Sequence, residues 1–250
     1  MAGTREDRRL VHILAGVGAL LTSLWLLAYL VYAARQMMLD VALAFLLKLV
    51  VVGLLGWAAR QSADAQRFWA LLAAAWTLNL SGDVIWGVYE MLSEESLPVF
   101  TWIDGLYIAR YVLLFLALWR YSNRTDRRQW IGLLATVLAA TAMTWWGGLE
   151  SSDEGALFFL GKALYPILDA ALVYAALVAW AHVPTVRLRN ALSLFTLALV
   201  VYGIANWINF RVAASGVSSG QADFFWPLSD VLTGLVVLYS ARDALIVRRS

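Results

Sequence analysis

Long apolar segments alternate with short polar ones along almost the whole chain. A bilayer core of about 30 Å requires about 20 consecutive apolar residues in a helix, and eight segments are close to that length. They are Leu10–Ala33, Met38–Ala59, Gln66–Met91, Pro98–Trp119, Gln129–Gly147, Ala156–Ala181, Asn190–Val212 and Ala222–Val247. The pattern predicts an all-α, polytopic membrane protein with eight transmembrane helices in a single membrane domain, 1–250.

Composition agrees with this interpretation. The 250 residues are 62% hydrophobic and only 14% charged, whereas a soluble domain is about half apolar and a quarter charged. A net charge of +2, dispersed along the chain, does not indicate a nucleic-acid partner. With no cysteine and only His12 and His182, the sequence excludes disulfides, cysteine nucleophiles and histidine-rich metal or haem sites. It predicts no metal site and identifies no cofactor.

The basic residues of the loops are distributed asymmetrically. If the segments alternate in direction, one side of the membrane carries fourteen loop arginines and the other carries only Arg35 and Arg211. The arginine-poor side has acidic loops, which contain Glu94, Glu95 and Glu150. The positive-inside rule then predicts an even number of spans and places both termini in the cytoplasm, with the protein in the inner (plasma) membrane.

The two halves of the chain, about 10–121 and 129–247, resemble each other weakly. A shift of 121 residues aligns Gly82 and Trp86 with Gly203 and Trp207, and it also aligns Lys48 with Asp169. Five further residues of shift align Asp104 with Asp230. Because four helices are an even number, two four-helix repeats would be parallel, and such repeats usually form a ligand site at their interface. Chance similarity between apolar helices is the alternative.

Seven charged residues lie well inside the apolar segments, away from the segment ends. The basic ones are Lys48, Arg110 and Lys162, and the acidic ones are Asp83, Asp104, Asp169 and Asp230. Charges at the bilayer centre cost about 2.5–3.5 kcal/mol each on insertion scales, so they usually face the bundle interior and form pairs. The excess of carboxylates indicates that one is protonated or that a cation is bound.

Helical spacing places polar side chains on common faces. Asn79, Asp83, Trp86 and Glu90 are spaced i, i+4, i+7, i+11, which is one face of a helix. In the predicted topology these faces meet in the outer half of the bilayer, around a pocket. The candidate ligand-binding residues are Asp83, Trp86, Asp104, Arg110, Lys162, Tyr165, Asp169, Asn206 and Asp230, and Tyr107, Trp102, Trp207 and Trp226 are also expected to line the pocket. Structural ion pairs, a ligand site and acid–base catalysis all remain open.

Two stretches resemble a known family. GDVIWGVYEMLSEESLPVFTWIDGLYIARYVLLFLAL, with YPILDAALVYAALVAW and SSGQADFFWPLSDVLTGLVVLYSA as a second copy, resembles the membrane sensor domains that precede bacterial diguanylate cyclase and histidine kinase modules. The matching residues are Asp83, Trp86, Pro98, Asp104, Tyr165, Pro166, Asp169, Trp226 and Asp230. The resemblance implies a bacterial sensory module. The chain carries no such output module, so a membrane or cytoplasmic signalling partner is expected.

A second resemblance is to the lysoplasmalogenase family. That family has eight helices, with a lysine on the second helix, a Gly-Asp on the third and an acidic residue on the sixth. Lys48, Gly82-Asp83 and Asp169 are the corresponding residues here. The resemblance implies hydrolysis of a lipid vinyl ether, with Asp83, Asp169 and Lys48 as catalytic residues. Leu49 stands where the family has proline, and the helix-4 histidine of the family has no counterpart.

Three functions are therefore open at the level of sequence. The first is a membrane-embedded module that binds a small molecule or lipid and senses it. The second is a lipid hydrolase that uses the same residues, so that enzymatic activity is undecided. The third is an accessory subunit of a larger membrane complex, in which the buried charges only stabilise the bundle.

Overall fold

The computed structural model describes residues 5–32, 37–62, 65–93, 101–121, 126–148, 156–183, 185–215 and 221–246. These residues form eight helices, and none of them lies in a strand. The helices are α1 (Arg5–Tyr32), α2 (Met37–Gln61), α3 (Gln66–Ser93), α4 (Asp104–Trp119), α5 (Arg127–Gly148), α6 (Ala156–His182), α7 (Val186–Ser215) and α8 (Gln221–Ile246).

Five of the helices are long and apolar enough to cross a membrane. Their apolar parts have mean hydropathies between 1.3 and 2.2, and α8 contains a shorter apolar segment. The five parts are Arg9–Tyr29, Ala42–Gln61, Gln66–Tyr89, Ala163–His182 and Val186–Arg211. Large apolar side chains on the outside of the bundle, such as Leu20 and Leu134, are 59% exposed, as expected for surfaces that face lipid rather than water.

Six helices begin at residues other than those predicted, and in three of them, α1, α4 and α7, the difference is four residues or more. The α7 helix starts at Val186 rather than Asn190, because the Thr185 hydroxyl accepts the Leu188 N–H at 3.3 Å and so caps the helix. The α4 helix starts at Asp104 rather than Pro98, since Thr101 is not helical. The α1 helix starts at Arg5 rather than Leu10, because hydropathy detects only the apolar part of a helix.

Six helices form a closed ring of contacts. In order around the ring, α2 packs against α3, α3 against α4, α4 against α6, α6 against α7, α7 against α8, and α8 against α2. The other two helices lie outside this ring, where α1 packs on α2 and α8, and α5 packs on α6 and α7. The interior is thus shared by helices from both halves of the sequence.

The interior is apolar in one half of the bundle and polar in the other. Leu55, Leu72, Leu114 and Phe195 are completely buried in the main hydrophobic core. On α2, Lys48 precedes Leu55 by seven residues, which corresponds to about 10 Å along the helix. The α3 helix runs in the opposite direction to α2 in an alternating bundle. On α3, the apolar Leu72 comes before the polar Asn79 and Asp83, so the order of apolar and polar residues is reversed as well. The ring therefore holds its charged side chains at the opposite end from its apolar core.

Candidate functional site

The Asp83 carboxylate is the centre of the first polar group of side chains. The Lys48 ammonium on α2 forms an ion pair with it. On the other carboxylate oxygen, the Tyr107 hydroxyl on α4 donates a hydrogen bond of 2.8 Å. The Asn79 amide, one turn earlier on α3, donates at 3.2 Å. Three helices thus bring donors to one carboxylate, which is the arrangement that a charge needs inside a membrane.

Lys48 also lies near a second carboxylate. The Asp230 oxygen on α8 is 3.8 Å from the Lys48 nitrogen. The other Asp230 oxygen accepts a hydrogen bond of 2.9 Å from the Trp76 indole on α3, which holds that carboxylate in place. The ammonium therefore lies between two carboxylates, in contact with Asp83 and within ion-pair distance of Asp230.

Asp169 on α6 forms a second group. One of its oxygens accepts the Tyr111 hydroxyl at 2.8 Å, and the other accepts the Asn206 amide at 2.7 Å. The Asn206 carbonyl in turn accepts the Trp226 indole at 3.0 Å. Asp169 and Asn206 are 4% and 8% exposed, so this group is enclosed by α4, α6, α7 and α8.

Asp104 accepts a hydrogen bond from the third tyrosine of the site. The Tyr165 hydroxyl on α6 donates to one oxygen of Asp104, at the start of α4. The Thr101 backbone N–H donates to the other at 2.6 Å. Because Tyr111 on α4 donates to Asp169 on α6, each of these two helices supplies one tyrosine donor and one carboxylate acceptor to the other.

Arg110 lies between these groups and contacts aromatic rings. Its guanidinium carbon is 4.0 Å from the Tyr202 ring centre, 5.3 Å from that of Trp76 and 5.4 Å from that of Tyr111. Trp76 donates to Asp230 and Tyr111 to Asp169. The sequence predicted Arg110 as a counter-ion of carboxylates. Within the described ranges no carboxylate is within ion-pair distance of it, and its nearest partners are these aromatic rings, through cation–π contacts.

Two glycines that align between the halves of the sequence, Gly82 and Gly203, allow neighbouring helices to approach closely at this site. A Cβ at Gly82 would lie 2.8 Å from the Tyr107 ring, and a Cβ at Gly203 would lie 3.2 Å from the Asp169 Cβ. A methyl group at Gly82 would therefore displace the tyrosine that donates to Asp83. The absence of a side chain at both positions brings neighbouring helices close to the polar groups.

Asp83 is the accessible carboxylate of the site. Its side chain is 21% exposed, whereas that of Asp230 is 3% exposed, and Asp104 and Asp169 are each 4% exposed. Trp86, Tyr107 and Tyr165 are half-buried. Among the four aspartates of the site, Asp83 therefore has the most exposed side chain.

Most of the predicted site residues come together, but not all of them contribute. Trp102 is 71% exposed, so it does not line the polar interior as predicted. Trp207 lies with Met143, Trp146 and Arg211 along a separate groove of about 490 Å³ between α5 and α7. The side chains of Lys162 and Glu90 lie outside the described part of the structure. No three metal-ligating side chains come together among the residues that were described.

Sequence reasoning missed Trp76 and Tyr111 as site residues. Trp76 is three residues before Asn79 and seven before Asp83, and Tyr111 is four residues after Tyr107. Both spacings place a residue on the face already identified, so the signal was present. Each was indistinguishable from an ordinary apolar core aromatic until its hydrogen bond to an aspartate was known.

The chain was compared with protein families, curated proteins and solved structures. The chain matches no protein-family model, no curated protein and no solved structure.

Proposed function

We propose that all eight helices cross the inner membrane, as two parallel four-helix halves with both termini in the cytoplasm. The distribution of loop arginines supports this topology. The packing supports the halves, because each contact within α1–α4 has a counterpart within α5–α8. The pairs α1–α2, α2–α3 and α3–α4 correspond to α5–α6, α6–α7 and α7–α8, and α2–α8 corresponds to α6–α4.

We further propose that the chain is a membrane-embedded ligand-binding module of the sensory type, with its polar pocket in the outer half of the bilayer. The observation that carries this proposal is the exposure of Asp83, a carboxylate that remains accessible although three helices supply donors to it. An accessible charge inside an apolar bundle is a functional feature by default.

The surroundings of Asp83 suit recognition rather than packing alone. Tyrosine hydroxyls, asparagine amides and indole N–H groups line the interior and are already oriented by neighbouring helices. Such convergent polar groups in a largely apolar enclosure are typical of small-molecule sites. Lys48, Asp83 and Asp230 are the residues that a ligand near the opening would influence first.

One observation favours a hydrolase as the second candidate function. Lys48 contacts Asp83, and these are two of the three residues that correspond to the catalytic set of the lysoplasmalogenase family. A lysine beside an accessible carboxylate could assist general acid–base chemistry. Asp169, the third residue, belongs to the separate group with Tyr111 and Asn206, so it would act from a different part of the interior.

The experiment that tests the ligand site is native mass spectrometry of the protein purified in mild detergent, with identification of any molecule that remains bound. We expect a specific molecule in the wild type that is lost in Asp83→Asn. Asp126→Asn is the matched control, because it removes a carboxylate that caps α5 and asparagine caps a helix equally well. A protein without bound molecules, unchanged by Asp83→Asn, would favour the accessory-subunit function instead.

Turnover separates the first two functions. If the bound molecule is a lipid vinyl ether, the hydrolase candidate predicts release of an aldehyde that stops in Asp83→Asn while the protein remains folded. A bound molecule recovered unchanged after long incubation would support the binding module.

A further inference from the structure

Lys48 has two carboxylates within reach, and they differ in accessibility. It contacts Asp83, which is half-buried, and lies 3.8 Å from Asp230, which is buried. The Trp76 indole fixes Asp230, so a shift of the lysine side chain by about one ångström would complete a hydrogen bond with Asp230. The ammonium can thus exchange one carboxylate partner for the other without moving either helix.

A buried acceptor beside Asp83 lacks a donor. Asn79 is 1% exposed, and its amide nitrogen donates to Asp83. Its side-chain oxygen is buried and has no hydrogen-bond partner among the residues that the structure describes. An unsatisfied buried acceptor costs about 1–3 kcal/mol, and only a donor can satisfy it. This oxygen therefore indicates a ligand that carries N–H or O–H groups.

Charge indicates which kind of donor. The apolar segments carry four aspartates against three basic residues, Lys48, Arg110 and Lys162. The side chain of Lys162 lies outside the described residues, and Arg110 contacts aromatic rings. The loops on the predicted outer side contribute further carboxylates, including Glu94 and Glu95. A cleft of one sign attracts ligands of the opposite charge and concentrates them. The half-buried ring of Tyr107, whose hydroxyl donates to Asp83, is also a suitable neighbour for a cation.

We propose that the ligand of this site is a protonated amine that retains N–H groups. Its ammonium binds the Asp83 carboxylate and donates to the Asn79 oxygen, while Lys48 moves to Asp230. This inference rests on the proposed ligand-binding function and specifies its ligand class. Because Asp230 is on α8 and Lys48 on α2, binding would strengthen a contact between the two halves of the chain. That contact would be the first step of a sensory response.

The first test is a comparison of three small ions with the wild-type protein in lipid nanodiscs at constant ionic strength. Binding of n-butylammonium, tetramethylammonium and butyrate is measured by titration calorimetry. We expect butylammonium to bind, tetramethylammonium to bind about tenfold or more weakly because it has no N–H to donate, and butyrate not to bind. Equal affinity for the two cations, or preferential binding of butyrate, would overturn the proposal.

Substitutions then distinguish partner exchange from simple charge attraction. Asp83→Asn should weaken butylammonium binding by about tenfold or more. Asp230→Asn should also weaken it, because Lys48 then has no second carboxylate. Lys48→Met should strengthen it, since the bound cation replaces the one that was removed. Asp126→Asn should leave the affinity unchanged. A purely structural Lys48 predicts that Lys48→Met destabilises the protein without raising the affinity, which would contradict the exchange.

Failure of this inference can be told from failure of the proposed function. If native mass spectrometry finds a neutral or anionic molecule that Asp83→Asn releases, and butylammonium does not bind, the ligand class is wrong and the binding function stands. If neither method detects binding, both proposals fail. Should Lys48→Met not fold, the wild-type ion series and the Asp230→Asn affinity still decide the outcome.

Discussion

The guanidinium carbon of Arg110 lies 4.0 Å from the centre of the Tyr202 ring, with Trp76 and Tyr111 on its other sides. Arg110 is 1% exposed, and two of its nitrogens have no hydrogen-bond partner among the described residues. A buried cation is costly unless it is paired. Here three aromatic rings lie nearest to the cation, and the rings of Trp76 and Tyr111 belong to side chains that donate to Asp230 and Asp169.

Replacing the Tyr202 ring should destabilise the bundle. We expect Tyr202→Leu to lower the free energy of unfolding by about 2 kcal/mol, the value of a desolvated cation–π contact. Tyr202→Phe keeps the ring and should cost much less. Unfolding of both variants in mixed detergent micelles measures the difference. Equal loss in the two variants would show that the ring face does not stabilise Arg110.

The hydrogen bond between Tyr165 and Asp104 should couple α4 to α6. Tyr165→Phe removes a donor from a buried carboxylate, and hydrogen bonds to charged groups contribute about 1.5–3 kcal/mol. We expect a loss of that size in unfolding, and a smaller additional loss when Asp104→Asn is already present. Tyr239→Phe is the control, because its hydroxyl accepts from Asn190 at the exposed surface. Strictly additive losses would mean that the two residues do not interact.

Gly82→Ala should disturb the site through Tyr107. The added methyl group would lie 2.8 Å from the Tyr107 ring, and overpacking of this kind costs about 1–3 kcal/mol. Gly56→Ala in α2 is the matched control, since nothing lies within 4 Å of its Cβ and alanine favours a helix. Thermal unfolding and binding of the recovered ligand should both suffer in Gly82→Ala alone. Identical behaviour of the two variants would exclude a role for close packing at Gly82.

Single-cysteine labelling tests the topology, because the chain has no cysteine of its own. Trp102 and Val186 are 71% and 69% exposed, before α4 and at the start of α7. We expect an impermeant maleimide to label Trp102→Cys in intact cells, and to label Val186→Cys only after the membrane is opened. Labelling of both positions from the same side would contradict an alternating bundle with cytoplasmic termini.

The sequence predicts the number and approximate extent of the helices well, because apolar length is a property of each segment alone. It predicts their ends less well. The start of α7 depends on one hydrogen bond from Leu188 to Thr185, and that bond has no hydropathy signal. At Asp104, the side chain accepts the Thr101 N–H and fixes a turn that apolar counting had treated as helix.

The site, too, is predicted well where a feature belongs to one segment and poorly where it depends on contacts between segments. Charges within the helices such as Asp83, Asp169 and Asp230 are evident from sequence because an ionisable residue in an apolar segment needs a partner. Which partner it finds depends on how helices pack. Arg110 was expected beside a carboxylate but lies among rings, and Trp76 was not expected at all although it donates to Asp230. Those choices are made between helices that are distant in sequence.

The chemical accessibility of position 83 tests whether the polar interior opens to the outside at Asp83. Asp83→Cys and Asp169→Cys are treated with a small, water-soluble thiol reagent added outside intact cells. We predict that the first reacts rapidly, while the second reacts far more slowly. Equal rates at the two positions, or reaction at position 83 only from the cytoplasmic side, would contradict an outward-facing pocket.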